Sequence, residues 1–358
     1  MNENRYRIAS RVAGQPLIAA DVGGTHARIA SIVPVADDRG SAFAIGDYCK
    51  YACADFPSLA AIIQSFRSSY VRTPVSSAAL AIAGFVVDDA VVNVNLPWPV
   101  SISDLRTRLD LDDLAVVNDF KAVAYAVGHV DDASALLLGG PAEHRPGPML
   151  VVGPGTGLGG AVHIAQDGRP VILATEVGQA TLAATTDFEF EVLGELRKRS
   201  PRVLIEHVLS GTGLTNLYAA IRALRGASPL AQTPAQISAA ALAGSDALAS
   251  ETVEVFCGWF GSVLGDLALL YGAQGGIYLA GGVLPQMKEL LVRSRFIERF
   301  LDKGAMREAL ARTSIRLVDH AQLGVIGAAS WYFDRDNGGR RAAGAVATER
   351  TGTKTTTD

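Results

Sequence analysis

Cysteine is nearly absent from this chain of 358 residues. Cys49, Cys53 and Cys257 are odd in number and carry no CxxC spacing. That argues against a disulfide scaffold or a cysteine zinc site and points to a reducing, cytoplasmic setting. An excess of one charge is missing too: 32 basic and 36 acidic residues leave a net charge of −4. Nothing in that balance recommends nucleic acid or an anionic membrane as a partner. The opening MNENRYRIASRVAGQP lacks the apolar core of a secretory leader. The pattern GxxxxGK[ST] does not occur, which excludes a P-loop. His163 and His207 have no histidine or carboxylate partner at metal-ligand spacing. The one long apolar run, Gly258 to Leu284, carries a single charge, Asp266, and a GxxxG pattern at Gly261–Gly265. Gly275-Gly276 and Gly281-Gly282 break it into a buried helix, a turn, a short strand and a second turn, against a membrane span.

What is present is apolar bulk and glycine: 49% hydrophobic residues and 37 glycines, enough for a core in about two domains of roughly 150 residues. The glycines cluster, which suggests specialised turns. Strand character at Leu17–Ala20 and again from Arg28 to Val33 flanks Asp-Val-Gly-Gly-Thr, a hairpin. A helix is expected over 57–69, a strand over 77–83, strand character over 91–94, a capped helix over 101–109 with Ser101 as N-cap, a buried strand over 114–117 and a helix over 120–127. The second half repeats the opening. Met149–Val152, a glycine-rich turn and Ala161–Ala165 form another hairpin, followed by helices at 187–199, 202–209, 213–225, 235–248 and 249–271. A strand at 276–280, a helix from Pro285 onward, a strand at 315–318 and a helix at 324–333 close the pattern. Two related α/β domains account for the repeat. The expected division is a flexible 1–16, a small domain 17–118 joined by a C-terminal helix near 319–337, a large domain 119–318 and a disordered tail 338–358.

Three glycine turns are candidate phosphate sites. In Asp21-Val-Gly23-Gly24-Thr25, adjacent glycines let backbone N–H groups approach an anion, Thr25 adds a hydroxyl, and Asp21 could hold Mg²⁺ through water. Arg28 could reach a phosphate or make a structural ion pair. An ordinary hairpin turn explains the same residues. Gly155 to Gly160 fits GxGxxG, with Glu176 at the spacing of a dinucleotide fingerprint, but leads into a strand where that fingerprint opens a helix. A phosphate-cradling hairpin fits better than a nicotinamide site. Gly281-Gly282 could border a nucleotide base. Asn118-Asp119 follows a buried strand: Asp119 is either an N-cap or a carboxylate placed to take a proton from an attacking hydroxyl. Trp98 reads as packing, and by base rate residues placed like Glu176 and Glu206 are more often surface residues than ligands.

DVGGTHAR, VVNDF, GPGTGLGG, EHVLSGTGLTNLY and GIYLAGGVLP occur in this order. The set resembles the bacterial glucokinase family of the hexokinase/actin-like ATPase superfamily over roughly residues 17–335. The resemblance implies a two-domain actin-like ATPase (ribonuclease H-like) α/β fold with an interdomain cleft. It also implies ATP-dependent phosphorylation of the 6-hydroxyl of glucose, with Mg²⁺ near Asp21 and a homodimer as one assembly. Asp119 would be the general base. Asn95, Asn118, Asp119, Glu176, Gln179 and Glu206 would bind the sugar. Ala20, Asp21, Val22, Gly23, Gly24, Thr25, Gly155, Thr156, Gly157, Gly281 and Gly282 would surround the nucleotide. One loop departs from the family: Glu176-Val177-Gly178-Gln179 stands where Glu-Gly-Gly-His is usual. Gln179 keeps hydrogen bonding without charge, and Val177 adds bulk. That departure supports an alternative, a catalytically weak paralogue that senses sugar or nucleotide.

Overall fold

A computed structural model describes residues 5–8, 16–37, 40–92, 96–130, 135–143, 145–166 and 169–335. The chain divides into two units, Met1–His129 with Ala321–Asp358, and Val130–His320.

The first unit opens with strands β1 (Arg5–Ile8), β2 (Leu17–Val22), β3 (His26–Asp37) and β4 (Gly40–Ala52). Helix α1 (Leu59–Tyr70), strand β5 (Ser77–Ile82) and the small strands β6 (Phe85–Val87), β7 (Ala90–Val92) and β8 (Val100–Ser101) follow. Helix α2 (Ile102–Arg108), strand β9 (Asp113–Asn118) and helix α3 (Asp119–Val127) complete this stretch. The sheet order is β1-β4-β3-β2-β5-β9. β2, β3 and β4 pair antiparallel, whereas β2, β5 and β9 run parallel. β2 is buried at nearly every position, as a central strand covered on both faces must be. α1 lays Leu59, Ala60, Ile62, Ile63 and Phe66 on the sheet. Burying each large side chain contributes about 1.5–3 kcal/mol. The Ser58 hydroxyl caps its first turn, accepting from the Ala61 N–H at 3.2 Å.

The second unit contains strands β10 (Ala135–Gly139), β11 (Met149–Pro154), β12 (Leu158–Gln166) and β13 (Arg169–Thr175). Helices α4 (Asp187–Arg197), α5 (Gly211–Leu224), α6 (Pro234–Ala243) and α7 (Ala247–Leu270) form its helical layer. Strand β14 (Gly276–Leu279), helices α8 (Lys288–Arg293), α9 (Phe296–Leu301) and α10 (Arg307–Leu310), and strand β15 (Ile315–Val318) finish it. A last helix, α11, over 323–335, returns to the first unit. The second sheet runs β10-β15-β14-β11-β12-β13. Leaving out β1 and β10, each sheet carries five strands in the order 3-2-1-4-5, the first three antiparallel and the last two parallel to the first. The repeat read from the two glycine hairpins is therefore a repeat of topology. α7 is long and apolar enough to cross a membrane, yet most of it is buried inside its own unit. Trp259 donates its indole N–H to the Ala183 carbonyl at 2.9 Å.

Several boundaries differ from the sequence reading. Arg5–Ile8 lies within the segment expected to be flexible but forms β1, paired with β4. The rest of 1–15 and the expected tail 338–358 lie outside the described residues. The division between units falls after His129 rather than before Asp119, because α3 stays with β5, β9 and α11. A Cβ on Gly327 of α11 would collide with the Ala122 backbone, so those two helices touch main chain to main chain. The helix expected over 202–209 is a single 3₁₀ turn, Ile205–His207. The preceding residues are instead held extended, with Leu204 bridging Thr181 and the Leu182 N–H bonded to the Val203 carbonyl at 3.0 Å. Pro285 begins no long helix but sits in a 3₁₀ turn, Leu284–Met287, ahead of the short α8.

Candidate active site

The predicted residues fall into two groups, one in each unit. In the first unit they stand at the C-terminal ends of parallel strands. Val22 pairs with Ile82, and Ile82 with Asn118. The turn after β2 and the Asn118-Asp119 pair after β9 thus leave the same edge of one sheet, two strand spacings or about 10 Å apart. That edge is where open α/β sheets bind ligands. The turn is fixed from beneath. The Gly23 N–H bonds to the His26 carbonyl at 3.0 Å, the Cys53 N–H to the Thr25 carbonyl at 2.9 Å, and the Cys53 thiol to the Gly23 carbonyl at 3.4 Å. Thr25 is exposed.

Asp21 faces Arg28 across the hairpin, and their side chains form an ion pair at 3.4 Å. Of the two roles open to Arg28, the structure displays the ion pair. Burial raises the Asp21 carboxyl above its ordinary value, and the Arg28 guanidinium opposes that rise without cancelling it. Asp21 also lies directly on the backbone of Gly324 in the first turn of α11: a Cβ there would stand 2.7 Å from the Asp21 Cβ and 2.8 Å from Oδ2.

The N-cap of α3 is Asn118, not Asp119. The Asn118 Oδ1 accepts from the Lys121 N–H at 3.0 Å, because its extended backbone places it one residue outside the helix. Asp119 is the first helical residue, half-buried, with Oδ1 accepting from the Phe120 N–H at 2.9 Å. Trp98 packs against the core and donates to the Phe56 carbonyl at 3.2 Å. Asn95 lies outside the described residues.

In the second unit the glycine loop 155–157 joins β11 to β12, so it opens a strand, as expected. The loop closes on itself through a bond from the Gly155 N–H to the Gly157 carbonyl at 2.8 Å. Thr156 is exposed at the tip, and the space around a Gly155 Cβ is empty. Gly281 and Gly282 follow β14, the parallel neighbour of β11. Gly281 has φ +104° and backs onto the Pro154 carbonyl, where a Cβ would come within 2.8 Å. Only glycine meets both demands. A third element that the sequence reading left unassigned joins these turns. The Gly211 N–H, in the first turn of α5, donates to the Gly155 carbonyl at 2.8 Å, and Ser210 caps the helix through the Gly213 N–H at 2.9 Å. The signal was there in Ser-Gly-Thr-Gly. Two glycine turns and the N-terminus of α5 thus lie together, tied to one another through backbone bonds. For Cys53 and Gly324, by contrast, no local pattern pointed to the first turn.

Glu176, Gln179 and Glu206 gather beside this loop. Gln179 donates to Glu206 Oε1 at 2.7 Å, and the Leu158 N–H donates to Oε2 at 3.3 Å. Burial, and then the Glu206 charge, raise the Glu176 carboxyl above its ordinary value. Val177 turns inward and is buried in the core. It fits because Gly160 has no side chain: a Cβ there would stand 2.8 Å from Val177 Cγ2.

The donors suit a nucleoside triphosphate and its cation. Among the described residues no cluster of three or more His, Cys, Asp or Glu gathers. A lone carboxylate such as Asp21 fits Mg²⁺ that keeps its waters and takes its other ligands from phosphates.

Paired 3-2-1-4-5 sheets, each opening with a glycine hairpin, define the two-domain fold of the actin-like ATPase class. The Glucokinase family profile matches residues 18–335. A glucokinase-like protein of Xylella fastidiosa (strain 9a5c) is 49% identical over 319 residues, covering 89% of this chain and 95% of the relative. A glucokinase of Nitrobacter hamburgensis is 37% identical over 313 residues, covering 87% and 96%. The crystal structure of a glucokinase from an Antarctic psychrotroph aligns with a TM-score of 0.77 at 36% identity, covering 89% of this chain and 98% of that one. The chain belongs to the glucokinase family and is an ATP-dependent hexose kinase.

Proposed function

We propose that this kinase transfers the γ-phosphoryl group of ATP to the 6-hydroxyl of glucose, with Asp119 as general base. The observation that carries the reading is the placement of Asp119 as first residue of α3, at the same sheet edge as the Asp21–Thr25 turn. The Asp119 carboxylate takes the hydroxyl proton as that oxygen forms its bond to the γ-phosphorus. The bond from that phosphorus to the β,γ-bridging oxygen breaks, and ADP leaves with the electron pair. Asn118, Glu176 and Glu206 hold sugar hydroxyls. Residues 20–25, 155–157, 281 and 282 surround the nucleotide. Asp21 would hold Mg²⁺ through water, and the ion would supply charge neutralisation at the phosphates. Catalysis then rests on positioning and electrostatics, which hydrogen-bonded turns on rigid strands provide.

The test is glucose 6-phosphate formation with ATP and Mg²⁺, run beside Asp119→Asn and a panel of hexoses. Glucose-selective turnover that falls about 10²–10⁴-fold in the variant is expected. A folded Asp119→Asn protein with undiminished kcat refutes the mechanism. The second reading, a sugar or nucleotide sensor, draws on Val177 and Gln179; hexose binding without turnover on any sugar would favour it. A cytoplasmic setting belongs to the same reading; three cysteines outside any disulfide and the use of ATP support it. A homodimer is the assembly to test by sedimentation.

A further inference from the structure

The Glu206 carboxylate has two anchors on two different loops. Oε2 accepts from Leu158, the residue that follows the glycine loop, and Oε1 accepts from Gln179, at the end of the 176–179 turn. Both loops make room for it. A Cβ on Gly157 would stand 2.6 Å from Oε2, and one on Gly178 would stand 3.1 Å from the same atom. The anchors are themselves fixed. Arg202 donates to the Gln179 carbonyl at 2.9 Å, and the Ser210 hydroxyl donates to the Glu206 carbonyl at 2.7 Å. Gln179 and Leu158 therefore hold Glu206 as a brace between the glycine loop and the 176–179 turn.

We propose that Gln179 is a positioning residue: by holding Glu206 against Gly157-Leu158 it makes the two loops respond as one, so that nucleotide and hexose strengthen each other's binding. This rests on the reading that assigns the glycine loop to phosphate and the 176–179 turn with Glu206 to the sugar. The coupling is reciprocal by linkage: whatever factor nucleotide adds to hexose affinity, hexose adds to nucleotide affinity. A neutral amide suits the task. It donates to Glu206 at every pH, and adds no charge beside two carboxylates.

The experiment measures glucose dissociation constants by calorimetry, with and without a saturating non-hydrolysable ATP analogue and Mg²⁺. Wild type is expected to bind glucose about fivefold or more tightly with the nucleotide. In Gln179→Leu, which keeps the bulk and removes the donor, that ratio is expected to fall below about twofold. Gln179→His, whose ring N–H can donate, is expected to restore part of it. Gln179→Glu can donate only when protonated, so its coupling is expected to return as pH falls. A purely structural role would lower thermal stability and both affinities while leaving the ratio and its pH dependence unmoved. An unchanged ratio in Gln179→Leu, or a wild-type glucose constant that ignores nucleotide, overturns the inference and leaves the functional reading standing. Wild-type protein that binds no hexose overturns both.

Discussion

Replacing Gly261 by alanine should destabilise the second unit, although alanine is the better helix former. A helical glycine-to-alanine change ordinarily gains about 0.5–1 kcal/mol. At Gly261 the new methyl would overlap the Phe296 carbonyl oxygen and stand 3.0 Å from its carbon and 3.1 Å from the Phe300 nitrogen. All three are backbone atoms of α9, so no rotamer change relieves the contact, and α9 has to move. That helix buries Phe296, Arg299 and Phe300, and the Arg299 guanidinium is paired at 2.8 Å with Glu189 on α4, both side chains almost fully buried. Overpacking against such a layer costs about 3 kcal/mol, the upper end of the usual range. Less about 1 kcal/mol of helix propensity, the net loss is about 2 kcal/mol. For a unit of this size that is a fall of about 4–8 °C in Tm. Differential scanning calorimetry reads it directly, with Gly194→Ala as the opposite case. Gly194 is inside α4 with nothing within 4 Å of a Cβ, so that variant should melt about 1–4 °C above wild type. A Gly261→Ala protein that melts at or above wild type would refute the close-approach argument.

Two other perturbations test the site. Gly324→Ala drives a methyl into Asp21 from α11, so kcat should fall about tenfold to a hundredfold with the fold retained. A magnesium titration of initial rates should show a higher apparent requirement, and an unchanged one would count against a role for Asp21 near the cation. Glu176 has its carboxyl raised above an ordinary value of 4.5 by burial and by Glu206. The folded chain therefore holds that proton more tightly than the unfolded one. Its contribution to stability is present below the unfolded value and is lost as pH rises through the folded value. Glu176→Gln should remove this loss, so the wild type minus variant difference in Tm becomes more negative as pH climbs from about 4. A pH-independent difference would show that the environment of Glu176 is not as described.

The hairpins were legible because their signals are local. Two short apolar strands around a glycine turn need no distant partner to be recognised, and the Ser101 cap on α2 was read from spacing and holds through the Asp104 N–H at 3.1 Å. β4 carries no such local signal, although it is 13 residues long. Its polar and glycine content is tolerated because β3 supplies the pairing, and β4 bulges at Gly46-Asp47, two residues opposite the single Ser31 of β3. RVLIEHVL around Glu206 has helical spacing, but the ladder contacts to 180–182 override that preference.

The sequence alone determined the two-domain α/β repeat, the glycine turns and the family, since these depend on residue types at short fixed spacing. Tertiary structure decided which of those residues meet. It set Asp21 on Gly324, about 300 positions away in the chain. It set Glu206 between Leu158 and Gln179, and it buried Val177 in the space left by Gly160. It also turned the GxxxG of α7, which by itself fits a membrane contact as well as a soluble one, into the face on which α9 packs. Such contacts depend on how close two backbones come, and that distance is fixed by the packing of whole elements, which no local pattern encodes.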